Sequence, residues 1–573
     1  MTQITHDIFK FSLDPERRLA ELTGLVEKNN EIEGGSIIVP STIVYEDIEY
    51  VVSKIGKYAF DYCKWLRSVI LPDNIVYIGD FAFRMCENLV YIQLPHTLKT
   101  IGEAVFMCCS SLSEIRIPDS VEQMGKSLFC QCVALSSVNI PKEVNEIGIG
   151  TFDSCHSLQS IILPSNIHYI NSGAFRNCSC LKSITLPYGL QKISDLVFFG
   201  CRSLHSVVIP DGVTRVEADA FSMCKSLLSI SLPKSVKGIG ARAFKGCSSL
   251  ISISLPDSVL YIGECAFLEC SSLRSFKVPE KVSIIENYTF SSCRSLETVE
   301  LNTKIESIGV GTFKQCFSLQ HIELPSNVET ISASAFMGCK KLKSVQLSNV
   351  KKIYNDAFMD CQSLVSVVIP KSVDYIGNNV FRDCRSLESI SVEEDNTIYD
   401  SRYDCNAIID SKTSKLISGC KNTQIPDTVC HIGARAFEGC SISVVIIPNG
   451  ILTIEERAFS SCLKLDSVII GKGCTVLGGA AFEGCTSLSS IILGHNLVHI
   501  GNCAFASCSS LSSILIPRSV ARLGDAVFMD CTALTYIHYN GGKGAFKSIS
   551  EDNLLKRTSA RCIRCIDGDY TYS

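Results

Sequence analysis

The chain has 573 residues, of which 46% are hydrophobic and 19% charged, enough apolar content to bury a continuous core and too much for a disordered chain. A formal net charge of −5 argues against nucleic acid as the main partner, since phosphate recognition needs a basic stripe. No stretch approaches the roughly 18–20 apolar residues of a membrane span.

The N-terminus, MTQITHDIFKFSLDPERRLAELTG, lacks a basic segment followed by an apolar one and does not read as a secretory signal. Residues 1–50 read as an N-terminal cap, in which SIIVP and IEYVV are strand candidates that cover the first coil of the region beginning at residue 51.

From residue 51 a phrase returns along the chain. It can be written I-G-x-x-A-F-x-x-C-x-x-L-x-x-I-x-L-P-x-x-V. Its cysteine falls at Cys63, Cys86, Cys109 and onward to Cys339 in steps of 23, then at Cys361 and Cys384. After a gap it resumes at Cys440, Cys462, Cys485, Cys508 and Cys531, making 20 copies. Every copy has Phe three residues before the Cys, and all but the Cys440 copy have Leu three residues after it. Such a period is the mark of a solenoid, because one coil cannot bury its own apolar edge and a stack of coils can. The I-x-L-P portion alternates as a short strand, and Pro stops it. The Gly of I-G suits a position where a side chain would crowd the next coil or where φ is positive. Ala-Phe-x-x-Cys is expected to form a compact corner of about one helical turn.

The 31 cysteines belong mostly to this rhythm. Metal ligands must converge on one point, whereas these thiols are spread along an axis. Parallel Cβ vectors at the inter-coil spacing of about 4.8 Å are too far apart for a disulfide ladder. The column is therefore expected to hold thiols, each a small buried hydrophobe with a weak S–H donor.

Residues 51–390 hold the first 15 copies. Between Cys384 and Cys440 lie 56 residues, and 391–424 read as one enlarged coil. Within it CNAIIDSKTSKLISGC predicts a β-hairpin with Ser-Lys-Thr-Ser as its loop, and TQIP at 423–426 reads as an early return of the strand phrase. Residues 425–540 hold five more copies, and 541–573 form a C-terminal cap. Cys562-x-x-Cys565 is the only C-x-x-C. With no second pair nearby it suits a zinc site poorly, and a disulfide or a packed cap better.

No acid–base, nucleophile or nucleotide-binding motif is present, and GKGCTVLGG (471–479) lacks the Lys-Ser/Thr pair of a phosphate loop. The ten histidines scatter. The chain is thus expected to be a non-enzyme with no cofactor and no metal site. Binding information should lie on the outward positions of the I-x-L strand. One outward column is small, running through Ser137, Ser160, Ser183, Ser206, Ser229, Ser252 and Ser275. The other varies. Arg116, Asn139, Thr185, Lys277, Glu300 and Glu323 of this column, with Glu297 beside it, make up the candidate binding strip, the three glutamates forming an acidic patch that suits a solvated face better than a basic ligand.

L-x-x-I-x-L-P followed by V-x-x-I-G-x-x-A-F-x-x-C closely resembles the BspA-like, or Treponema-type, leucine-rich repeats, and LISISLPDSVLYIGECAFLEC (250–270) is nearly that consensus. The flanks are also similar to the lead-in and terminal module of bacterial members, with Phe546 where a Trp usually stands. The resemblance implies a right-handed solenoid with a parallel β-sheet on its concave side, mostly β and irregular structure, and binding in place of catalysis. The expected partner is a protein, with glycan as a possible ligand, no nucleic acid and no membrane span. Exported members of the family are often adhesins. This sequence shows neither their signal peptide nor their wall anchor, so the expected location is cytoplasmic, with a cell-surface adhesin exported by another route as the alternative.

Overall fold

The computed structural model describes residues 2–27, 33–549, 554, 558, 560 and 562–571. It is a β-solenoid with parallel sheets and almost no helix, folded as two compact units, Met1–Arg294 and Ser295–Ser573.

Most coils donate two short strands, although the first is missing at 160–162 and 344–346. The I-x-L phrase makes the first, and in it the central residue is buried and its neighbours exposed. Ser229–Ser231 lies parallel to Ser252–Ser254, with Ser229 opposite Ser252 and Ile230 opposite Ile253. Pro then opens a turn that the Val N–H closes, as Val259 donates to the Pro256 carbonyl at 3.0 Å. The V-x-x-I phrase makes the second strand, Gly238–Ile239 running parallel to Tyr261–Ile262. Gly240 follows because a Cβ there would lie 2.6 Å from the Ala218 nitrogen of the previous coil. Close approach, and not a positive φ, requires this glycine.

The Ala-Phe-x-x-Cys corner is not the expected helical turn. Arg242 and Gly246, on either side of Phe244, have φ of 56° and 70°, and this left-handed pair recurs from Tyr58 and Tyr62 to Ala526 and Asp530. The N–H groups alternate in direction. Those of Ala243, Lys245 and Cys247 donate three residues back within the coil, while those of Arg242, Phe244 and Gly246 donate to Glu264, Ala266 and Leu268 of the next coil. A helical turn would consume its donors internally and leave the coil edges unpaired. The alternation satisfies both demands, since buried backbone donors must all find partners.

The inward side chains form columns. Phe244 is fully buried between Phe221 and Phe267, with ring centroids 5.5 Å away on each side and rings within 3° of parallel. Beside it most repeat cysteine thiols reach the carbonyl of the Phe one coil earlier, as Cys247 does to Phe221 and Cys270 to Phe244, both at 3.1 Å. That carbonyl also accepts the Cys N–H of its own coil, so the thiol uses its second lone pair.

Before the first coil, Thr2–His6, Phe9–Asp14 and Leu19–Leu25 form an antiparallel meander whose last strand runs parallel to Ile48–Ile55. Phe9, Phe11, Leu13 and Leu22 are buried there. Ser36–Ile38 pairs with Ser68–Ile70 and starts the exposed sheet.

In the C-terminal unit the Phe column runs from Phe313 to Phe381 and resumes from Phe437 to Phe528. Between them Ala407–Asp410 and Lys415–Gly419 form the antiparallel hairpin, with Ser411–Ser414 as its loop. Lys415–Gly419 continues parallel to His431–Ile432. The corner passes straight across the enlarged coil, because Asp383 N–H donates to Glu438 C=O at 3.1 Å. The phrase TQIP at 423–426 forms no strand. Gln424 N–H instead turns back to the Cys405 carbonyl at 3.0 Å, within the enlarged coil itself. After the last coil, Cys562–Cys565 pairs parallel to Tyr536–Tyr539, and the helix Lys543–Ile549 buries Phe546 edge-on against Tyr539.

Candidate binding face

A three-residue strand with its middle residue inward must expose the residues on either side. The small column is therefore open, and Ser137, Ser160, Ser183, Ser206, Ser229, Ser252 and Ser275 are all exposed. Small side chains there leave the neighbouring varied column standing clear of the sheet.

The candidate strip divides into separate places on this face. Arg116 and Asn139 lie on adjacent coils and line one shallow groove with Tyr91, Gln93, His96 and Glu114. Arg116 is exposed, but Asn139 is half-buried and occupied. Its amide accepts from Ile117 N–H at 2.8 Å and donates to Ile117 C=O at 2.7 Å, substituting for strand pairing with the previous coil. Thr185 and Lys277 are exposed at the ends of Ser183–Thr185 and Ser275–Lys277, Thr185 two coils beyond Asn139 and Lys277 four coils further on. Glu297, Glu300 and Glu323 are exposed in the C-terminal unit. Thr298 bridges His321 between their coils, and His321 Nε2 lies 3.5 Å from Glu323 Oε1.

A further feature of the face lies outside the candidate strip. Beyond the enlarged coil the varied column reads Ile446, Ile469, Ile492 and Leu515, with exposures of 64%, 43%, 58% and 56%. Ile446 stands opposite Ile469, and Ile469 opposite Ile492. The signal was the same outward position read past the gap, where four aliphatic residues succeed one another.

The thiols offer little chemistry. Burial pushes the Cys247 thiol up to about 12, the hydrogen bond to the backbone offsetting part of the rise. A thiol at that value is neutral near pH 7 and neither attacks nor ligates. Cys562 and Cys565 stand three apart on one strand, so their side chains leave opposite faces of the sheet and do not meet. Among the described residues no group of three or more His, Cys, Asp or Glu gathers as a metal site would require.

A family model described as the BspA type leucine rich repeat region matches six times, over residues 43–159, 106–228, 145–271, 214–343, 306–413 and 407–535. The chain belongs to this family. A leucine-rich-repeat protein from Bacteroides ovatus is 20% identical, with 97% of this chain and 99% of that chain covered and a TM-score of 0.39. A leucine rich cell surface protein from Faecalibacterium prausnitzii is 21% identical, covering 96% and 98%, with a TM-score of 0.32. The leucine rich repeat protein of T. pallidum is 27% identical over 44% of this chain and 91% of its own, with a TM-score of 0.28. A search of curated proteins finds no match. The fold of this BspA-type chain is one typical of protein binding.

Proposed function

We propose that this leucine-rich-repeat chain is a non-catalytic binding protein that holds a protein partner on the exposed face of the I-x-L strands. The observation that carries the reading is the division of labour on that face. A column of small serines is repeated coil after coil, while the column beside it changes from Arg116 to Thr185 to Lys277 to Ile492 with no structural demand for the change. A scaffold that needed only to stack would have no use for an open row of different side chains. The groove beside Arg116 adds a concave surface to the same face.

The working location we propose is a reducing compartment. Its support is the role of the thiols, which serve as hydrogen-bond donors along the core and would lose that role as disulfides.

The test is site-specific photocrosslinking in the native cell. A crosslinker at 116 or 185 is expected to capture one and the same protein, and a crosslinker on the buried-corner side, at 245, is expected to capture none. Capture from 245 alone would overturn the choice of face. Labelling of the intact cell surface by an impermeant reagent would favour the adhesin over the reducing compartment.

A further inference from the structure

We infer that the stripe Ile446, Ile469, Ile492 and Leu515 is the docking site for an amphipathic helix with acidic residues beside its apolar ridge. This deepens the reading above and rests on it.

The stripe is distinct from the rest of the varied column. In the N-terminal unit the column has single apolar members at Ile162 and Val208 and one pair, Ile38 opposite Ile70, before polar residues interrupt it. Here four aliphatic side chains follow without a break, flanked on one side by the small column at Ser467, Ser490 and Ser513. Contiguous exposed apolar surface of this kind is uncommon on a free face.

Charge selects the occupant. Three residues beyond each stripe residue lies the edge of the face, where the chain leaves the strand. In the N-terminal unit that position is mixed, acidic at Asp73, Asp119, Asp211, Asp257 and Glu280 and nitrogen-bearing at His96, Lys142 and Lys234. Beside the stripe it becomes Asn449, Lys472, His495 and Arg518. All four are exposed, and neither Lys472 nor Arg518 forms an ion pair among the described residues. Elsewhere exposed charges are often paired from coil to coil, as Lys99 is with Glu122 and Arg242 with Asp219. The stripe also ends in nitrogen. Leu515 stands opposite His538, which stands opposite Arg564, and Asp569 follows Arg564 on the next strand. The one carboxylate at the opposite edge, Asp466, accepts the Ser489 hydroxyl at 2.7 Å. In a chain of net charge −5, this basic border asks for carboxylates on the partner.

Spacing selects the conformation. The stripe crosses the strands, so its side chains recur about every 4.8 Å, and three steps span about 14 Å. A helix laid along it presents its i, i+4, i+7 and i+11 residues at about 5.4 Å per turn, within about 2 Å of register over the whole stripe. An extended segment repeats on one face only every ~6.8 Å and drifts about 6 Å out of register over the same three steps.

The probe is a fluorescent 16-residue helical peptide with Leu at i, i+4, i+7 and i+11 and Glu along one flank, titrated into the full chain by anisotropy. Saturable binding is expected. It should weaken about tenfold or more in the Ile469→Thr, Ile492→Thr double variant, which keeps β-branched side chains on the strand. Lys472→Glu with Arg518→Glu should weaken it and remove most of its salt dependence. A peptide with Lys in place of Glu should fail to bind. Equal binding of the Lys peptide would overturn the charge argument, and tighter binding of an extended Leu-Glu alternating peptide would overturn the helix. A concentration-dependent dimer in sedimentation, abolished by the Ile variants, would assign the stripe to a second copy and sink the proposal. If every peptide fails while the crosslinker at 185 still captures a protein, the stripe proposal falls and the broader reading stands. If both fail, both fall.

Discussion

Replacing Phe244 by Ala tests the stacked core most directly. The side chain is fully buried, and its ring lies between two others at 5.5 Å. A cavity is relieved when its walls can close, and here they cannot. Phe221 N–H is bonded to Ala243 C=O and Phe244 N–H to Ala266 C=O, both at 2.8 Å, which holds the coils at their spacing. The loss should therefore fall in the upper part of the usual range for Phe→Ala, about 4–5 kcal/mol. It should also be local, since a coil is stabilised mainly by its neighbours. Hydrogen exchange read by mass spectrometry should show protection lost over residues 230–270 and retained in the C-terminal unit. Ser252→Ala, on the exposed strand face, should change stability by no more than about 0.5 kcal/mol. A Phe244→Ala cost below about 1.5 kcal/mol, or a cost exceeded by that of Ser252→Ala, would refute the assignment of inward and outward faces.

Buried thiols should make the fold sensitive to alkali. An unfolded thiol ionises near 8.5 while that of Cys247 stays protonated until about 12, so stability is intact below the lower value and falls above it. Each such thiol subtracts about 1.4 kcal/mol per pH unit in that window, and the urea midpoint should drop as the pH rises above about 8.5. An unchanged midpoint would contradict the buried column. Alkylation of the native protein at about pH 8 should spare the repeat cysteines and label them after denaturation, whereas native Cys224–Cys247 disulfides would overturn the thiol reading. Gly125→Ala should destabilise by about 1–3 kcal/mol or more, because the new Cβ would strike the Gly102 carbonyl, which is backbone and cannot swing aside; a neutral substitution in a thermal melt would show the coils can part. Glu438 is buried between Arg382 at 3.1 Å and Arg435 at 2.9 Å where the corner crosses the enlarged coil. Glu438→Ala should cost about 3 kcal/mol and loosen exchange across 380–440, and a cost under about 1 kcal/mol would mean this junction contributes little to holding the two runs of coils together.

The solenoid itself was legible in the chain, because its period is written in residue types. Leu, Ile, Phe and Cys recur where a coil must turn a side chain inward, so Phe244, Cys247 and Ile253 could be placed in the core by their intervals. The hairpin loop Ser411–Ser414 was legible for a similar reason, with two apolar runs around four polar residues. The alternation of Phe9, Phe11 and Leu13 is equally legible as a strand within the N-terminal cap. What the sequence could not supply was the direction of each backbone bond between coils. The corner looked helical because its spacing is short, yet its donors alternate between their own coil and the next, a choice made only when a second coil lies alongside. Asn139 stood in the outward column by count, and a neighbouring strand decided that its amide turns back to Ile117. Ile446, Ile469, Ile492 and Leu515 became a continuous stripe only when pairing set them side by side, since residues 23 apart in the chain are neighbours through hydrogen bonds that no local preference encodes.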